Sequence, residues 1–332
     1  MSKPGPERER VRTAVVGATG YAGSEAAMRI GHHPELMLST VTSETHQGRW
    51  LSEAAPENDQ LVKLEEYDPD QIVERADAAI VGYPHGEAGP VAAELCERGL
   101  KVVDLSGDNR LPPAEYERYY GREAVSELQA EAVYGLTELH RDEIAEAELV
   151  ANPGCYATAA ILALEPLRGN IAEVVIDGKS GVSGAGREAD LRHDSRPYGV
   201  SGHAHIGEIK REFGADVPIT FVPHLLPTHQ GLSVSCYVRL ESELSQADVD
   251  ELYQGAYAGE RFVKVLDRPP SLNRVRYTNE CHVYAEVDPE TGLVKAFGAI
   301  DNLWKGAAGQ AVQNLNLMTG RPETEGLTGR QQ

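Results

Sequence analysis

Cysteine, positive charge and long apolar runs are all scarce in this sequence, and each shortage closes off a class of function. Cysteine occurs four times in 332 residues, at Cys96, Cys155, Cys236 and Cys281. These positions form no CxxC pair and no zinc spacing, so neither a disulfide scaffold nor a structural metal organises the fold, and no metal is expected. No stretch approaches the roughly 20 apolar residues of a membrane-spanning helix. Met1–Arg10 is polar and lacks the apolar core of an export signal, which leads us to expect a reduced, cytoplasmic protein. Only 31 Lys and Arg stand against 52 Asp and Glu, for a net charge of −21. Such a surface repels phosphate backbones, so neither nucleic acid nor membrane is expected as a partner.

What is present is an ordinary globular composition, 41% hydrophobic, with a length that suggests roughly two domains. In the first half, short apolar runs alternate with helical patterns. Arg12–Ala18, Leu36–Val41, Ala78–Val81, Val102–Leu105 and Leu149–Ala151 read as buried strands, with helices over Tyr21–Ile30 and Ala88–Arg98. This alternation predicts an α/β fold with a parallel, Rossmann-like sheet. The second half carries longer β-rich runs at Glu173–Ile176, Ile219–Val222, Leu232–Leu240 and His282–Val287. These predict an α+β domain with a mixed or antiparallel sheet. A helical pattern returns at Lys305–Met318.

Six segments carry chemistry. Gly17-Ala18-Thr19-Gly20-Tyr21-Ala22-Gly23 follows the first strand and opens a helix, where glycines let the backbone approach a pyrophosphate at the helix N-terminus. The second strand ends in Thr42-Ser43-Glu44-Thr45, and hydroxyls there suit the 2′-phosphate of NADP, although Glu44 argues for NAD. Asn152-Pro153-Gly154-Cys155 breaks the chain just before a helical run, Ala157–Leu167. A thiol at a helix N-terminus is expected to ionise below its free value of about 8.5; the alternative is a cysteine that merely packs. Gly202-His203-Ala204-His205-Ile206-Gly207-Glu208 offers two histidines for acid–base work, with Glu208 one helical turn beyond His205. Lys179–Arg187 (KSGVSGAGR) and Asp104–Arg110 (DLSGDNR) add glycines, hydroxyls and cations that can cradle an anion; surface ion pairs are the plainer reading of those cations.

Together with GYPHG (Gly82–Gly86), FVPHLLP (Phe221–Pro227) and DNLWKGAAGQAVQN (Asp301–Asn314), these segments resemble the semialdehyde dehydrogenase family, in its N-acetyl-γ-glutamyl-phosphate reductase branch. The resemblance runs through nearly the whole chain in the family's order. It implies that Cys155 is the nucleophile and that His203, His205 and Glu208 sit with it. It implies NADP contacts from Gly17, Thr19, Gly20, Tyr21, Ala22, Gly23, Ser43, Pro84, Ser106 and Asn302. It also implies that the C-terminal helix returns to the nucleotide domain, giving a domain of residues 1–151 and 302–332 and a catalytic, oligomerising domain of residues 152–301. Two segments depart from the family's usual wording. The family often reads DLSADFRL where this chain has Gly107 and Asn109, and often Asn-Arg-Gly where this chain has Thr228-His229-Gln230-Gly231.

The reaction expected is reduction of a small acyl phosphate to an aldehyde. Cys155 attacks the carbonyl, phosphate leaves and a thioester forms. NADPH then supplies hydride, with His203 as proton donor. Arg110, Asn152, Lys179, Ser183 and Arg187 are the expected substrate contacts, and a dimer or tetramer the expected assembly. Aspartate-semialdehyde dehydrogenase chemistry, a carrier-bound aminoadipyl or glutamyl phosphate, and a non-catalytic NADP sensor are the alternatives.

Overall fold

The computed structural model describes residues 9–123, 129, 131–187 and 194–328. Its first sheet is built from β1 (Val11–Val16), β2 (Leu36–Val41), β3 (Ala78–Val81), β4 (Lys101–Asp104), β5 (Val133–Tyr134) and β6 (Leu149–Ala151). The six strands run parallel in the order β2-β1-β3-β4-β6-β5. β1 and β3 carry nothing but buried side chains after Arg12, as a strand covered by helices on both faces requires. The strand order reverses between β1 and β3. The chain leaves both strands at the same sheet edge, and that crevice is where ligands bind in such folds.

The second sheet contains β7 (Ile171–Gly181), β8 (Arg196–Pro197), β9 (Ile219–Leu226), β10 (Leu232–Leu240), β11 (Val263–Val265), β12 (Cys281–Val287) and β13 (Val294–Ile300). Its order is β11-β12-β13-β10-β7-β9-β8. β7–β9 and β11–β12 are parallel and the other pairs antiparallel, so the expected mixed sheet is present. One face packs on the largely apolar, almost wholly buried helix Cys155–Leu164. The packing is close because Gly298 has no side chain. A Cβ there would lie 2.5 Å from the Ala159 carbonyl oxygen.

The expected helix at Lys305–Met318 is two pieces, a π-helical turn Trp304–Ala308 and an α-helix Gly309–Met318. Ala308, Ala311, Val312 and Leu315 pack in one core with Val15, Ile30 and Ile80 of the first sheet's layer. Within this seam Lys305 is fully buried and donates to Glu138, also buried, at 2.7 Å, and to Gln313 at 2.9 Å.

A buried charge stripped of its partner is costly. Lys305→Met should therefore cost about 3–5 kcal/mol in chemical denaturation, and adding Glu138→Gln should recover most of that loss. Equal stabilities of the single and double variants would contradict this reading of the seam.

Candidate active site

A cleft of about 630 Å³ opens along the C-terminal edge of the parallel sheet. The glycine loop after β1 forms one wall, and each glycine has a distinct reason to be there. Gly17 takes φ +79, and a Cβ on it would meet the Tyr83 ring at 2.8 Å. A Cβ on Gly23 would strike the Gly17 carbonyl oxygen at 2.3 Å, so this glycine sets the helix against the strand end. Gly20 has nothing within 4 Å of its Cβ position and caps the helix Tyr21–Gly31 without a side-chain hydrogen bond. The first N–H groups of that helix therefore face open space, which suits a pyrophosphate. All ten positions expected at the cofactor line this cleft: Gly17, Thr19, Gly20, Tyr21, Ala22, Gly23, Ser43, Pro84, Ser106 and Asn302.

At the far end of the same cleft stands Cys155. β6 ends at Ala151, the Asn152-Pro153-Gly154 turn follows, and the helix begins at Cys155 itself, two residues earlier than the sequence pattern suggests. A buried carboxylate organises the turn. Glu208 accepts from the Gly154 N–H at 2.8 Å, the Tyr134 hydroxyl at 2.8 Å and Arg110 Nη1 at 3.2 Å. His205 Nε2 lies 3.8 Å from Glu208 Oε1, and a Cβ on Gly154 would meet that nitrogen at 2.3 Å. His205 lines the cleft with Cys155, whereas His203 does not. The two rings are 4.5 Å apart, and His203 is edge-on to Tyr156 and Phe221.

The electrostatics correct one expectation. Burial pushes the Cys155 thiol up to about 11, with Arg110 opposing and Glu208 reinforcing the shift. Burial outweighs the Arg110 cation and the N–H groups at the helix start, and Glu208, paired with that cation, offsets part of its effect. Burial also pulls His203 down to about 4 and His205 well below the ordinary imidazole value, with the neighbouring His203 and the Arg110 cation adding to the second shift. The resting pair is a neutral thiol and a neutral imidazole.

The five expected substrate contacts separate. Ser183 and Arg110 line the cleft, and Arg110 is also tied to the Asn152 and Leu105 carbonyl oxygens, each at 2.8 Å. Asn152 is committed to the Ala307 carbonyl oxygen and Asn314. Lys179 does not line the cleft. Strand alternation puts it on the face opposite Ser180, ion-paired with Asp177 at 2.6 Å. Arg187 reaches the glycine loop instead, donating to the Thr19 carbonyl oxygen at 2.7 Å, stacking over Tyr21 and pairing with Glu57. Among the described residues no group of His, Cys, Asp and Glu could hold a metal ion.

Several participants escaped the sequence reading. Asp108 is buried and accepts from the Gly86 and Gly89 N–H groups and the Tyr116 hydroxyl, pinning the GYPHG loop. Tyr83, His85, Gly184 and Gly306 line the cleft. The motif GYPHG was the available signal for the first two. The unusual Gly107 also has its reason, since a Cβ there would meet the Tyr120 hydroxyl at 2.1 Å.

The glycine roles separate experimentally. Gly20→Ala should leave the melting temperature unchanged while raising the cofactor KM by about tenfold or more. Gly23→Ala should instead destabilise the fold by about 1–3 kcal/mol. Matching effects of the two substitutions on both readouts would refute the assignment.

Comparison with known proteins fits this geometry. Residues 12–147 match the family described as semialdehyde dehydrogenase, NAD binding domain, and residues 155–302 that described as semialdehyde dehydrogenase, dimerisation domain. An N-acetyl-gamma-glutamyl-phosphate reductase of Moorella thermoacetica is 44% identical, over 96% of this chain and 98% of its own. One of Thermus thermophilus is 41% identical, over 94% and 97%. In fold, the chain is similar to aspartate semialdehyde dehydrogenase II of Vibrio cholerae, with a TM-score of 0.70 at 17% identity over 94% of this chain and 99% of that one. It is likewise similar to the Candida albicans aspartate semialdehyde dehydrogenase solved with NADP, with a TM-score of 0.68 at 17% identity over the same shares, 94% and 99%. Nucleotide-binding loop, cysteine at a helix start and relatedness along nearly the full length agree: the chain belongs to the semialdehyde dehydrogenase family, in the branch of the N-acetyl-gamma-glutamyl-phosphate reductases.

Proposed function

We propose that this protein reduces N-acetyl-glutamyl 5-phosphate to N-acetyl-glutamate 5-semialdehyde and phosphate with NADPH, in arginine biosynthesis, through a thioester on Cys155. The observation that carries this is the placement of Cys155 and His205 in the cleft that the glycine loop also lines. His205 accepts the thiol proton as sulfur attacks the acyl carbon, and phosphate leaves. Arg110 and the first N–H groups of the helix Cys155–Leu164 stabilise the developing negative charge. A bound nicotinamide cofactor supplies the hydride that reduces the thioester. Collapse of the resulting oxyanion releases the aldehyde and returns sulfur to Cys155, which the protonated His205 neutralises. We assign this proton to His205 rather than His203 because His205 is the ring at the cleft wall. Glu208 positions both the turn and the imidazole. Ser183 and Arg110 remain the substrate contacts that the cleft supports.

Preference for NADP rests on Ser43 and Thr45 at the end of β2, within reach of a ribose phosphate. The division into residues 1–151 with 302–332 and residues 152–301 is supported by the packing of Gly309–Met318 in the first sheet's core. Homo-oligomerisation is supported by the outer face of the mixed sheet, where Val175 and Tyr237 are 38% and 42% exposed beside Phe297 and Tyr284. No helix among the described residues is long and apolar enough to cross a membrane, and we place the enzyme in the cytoplasm.

Oxidation of N-acetyl-glutamate semialdehyde in the presence of phosphate tests the proposal. Wild-type enzyme should use NADP⁺ with a higher kcat/KM than NAD⁺. Cys155→Ser should lose activity on the order of a thousandfold or more while still binding NADPH. Activity close to wild type in Cys155→Ser would eliminate the thioester.

A further inference from the structure

A second cavity, of about 520 Å³, shares no lining residue with the catalytic cleft. It lies where β11, the start of β12 and the short helix Leu272–Val275 meet the C-terminal segment Thr324–Thr328. We propose that it is a binding site for a small polyvalent oxyanion, a polycarboxylate or a phosphate.

Charge is the first argument. In a chain of net charge −21, cations are expected to be neutralised, and Arg12, Arg75, Arg98, Arg141 and Arg168 all pair with carboxylates. Arg261, Lys264 and Arg274 line this one cavity, and none has an ion pair among the described residues. Lys264 donates only to the Arg261 carbonyl oxygen, at 3.2 Å. Three like charges held together in a concavity repel one another, and an anion between them relieves that repulsion.

The second argument is a buried group left incomplete. β11 and β12 run parallel with Lys264 opposite His282, so both side chains project from the same face. His282 is 9% exposed and also lines the cavity. Its Nε2 is 2.8 Å from Glu280, while Nδ1 is buried with no hydrogen-bond partner among the described residues. A buried polar atom of this kind is a standing cost that a ligand can remove. With Nε2–H donated to Glu280, Nδ1 accepts from a ligand hydroxyl in the neutral ring or donates to a ligand oxygen in the protonated ring. Glu280 subtracts one charge from the wall and leaves the cation trio in excess. Buried Phe262 and Leu327 supply an apolar floor that suits a compact carbon skeleton.

Isothermal titration at constant ionic strength tests the site with citrate and with inorganic phosphate as separate probes. The proteins compared are wild type, the double variant Lys264→Gln/Arg274→Gln, and His282→Ala. The two cations are exposed, so the double variant should keep its melting temperature and its turnover at saturating substrate. The expected result is binding of at least one probe to wild type, weakened about tenfold or more in the double variant and also weakened in His282→Ala. The probe that binds distinguishes a carboxylate from a phosphate ligand. Equal binding by wild type and the double variant, or no binding of either probe to wild type, would overturn the proposal.

Discussion

The site depends on one buried carboxylate. Glu208 has no exposure, and its oxygens serve Arg110, Tyr134 and the Gly154 N–H. These partners come from the loop after β4, from β5 and from the turn after β6. Glu208 itself comes from the helix His205–Phe213. One side chain from the second half of the chain thus ties together two loops and a strand of the parallel sheet. A lone buried carboxylate would be prohibitively costly, and three donors make this one tolerable. The same contacts fix the turn that carries Cys155.

This arrangement has a chemical consequence. Among the described residues Arg110 is the one Lys or Arg in the cleft wall, and the carboxylate beside it offsets part of its field. Burial, more than this pairing, keeps the thiol protonated and both histidines neutral. Charge is created only as substrate arrives. An acyl phosphate brings negative charge and excludes water, and the phosphate's departure provides the driving force. A resting neutral thiol also reacts slowly with adventitious electrophiles, since the thiolate is the nucleophile. Cys236 and Cys281 are buried with thiols that burial also raises, so packing accounts for them as the sequence suggests.

Much of this was legible in the sequence, because local pattern encodes local structure. Short apolar runs marked the strands of the first sheet, and longer β-rich runs those of the second. Gly17, Gly20 and Gly23 marked the nucleotide loop, and Pro153-Gly154 marked the helix start at Cys155. Long-range electrostatics were not legible. No pattern in sequence reveals that Arg110 meets Glu208 across 98 positions, or that burial outweighs the cation's effect on the thiol. Strand alternation misled for the opposite reason. Lys179 and Ser183 share one glycine-rich motif, yet Lys179 still belongs to β7 and pairs with Asp177, while Ser183 lies beyond the strand end and faces the cleft. Arg187, two residues beyond that turn, reaches the nucleotide loop, a contact between residues 168 positions apart.

Glu208 holds the turn that carries Cys155, and burial together with that carboxylate keeps the thiol neutral. Ultraviolet thiolate absorbance, taken as the difference between wild type and Cys155→Ser across pH, measures this directly. The account predicts that Cys155 in the free enzyme ionises only well above the ordinary thiol value of about 8.5, and that Glu208→Gln lowers the transition by unmasking Arg110. A wild-type thiolate already formed at neutral pH, unaffected by Glu208→Gln, would contradict it.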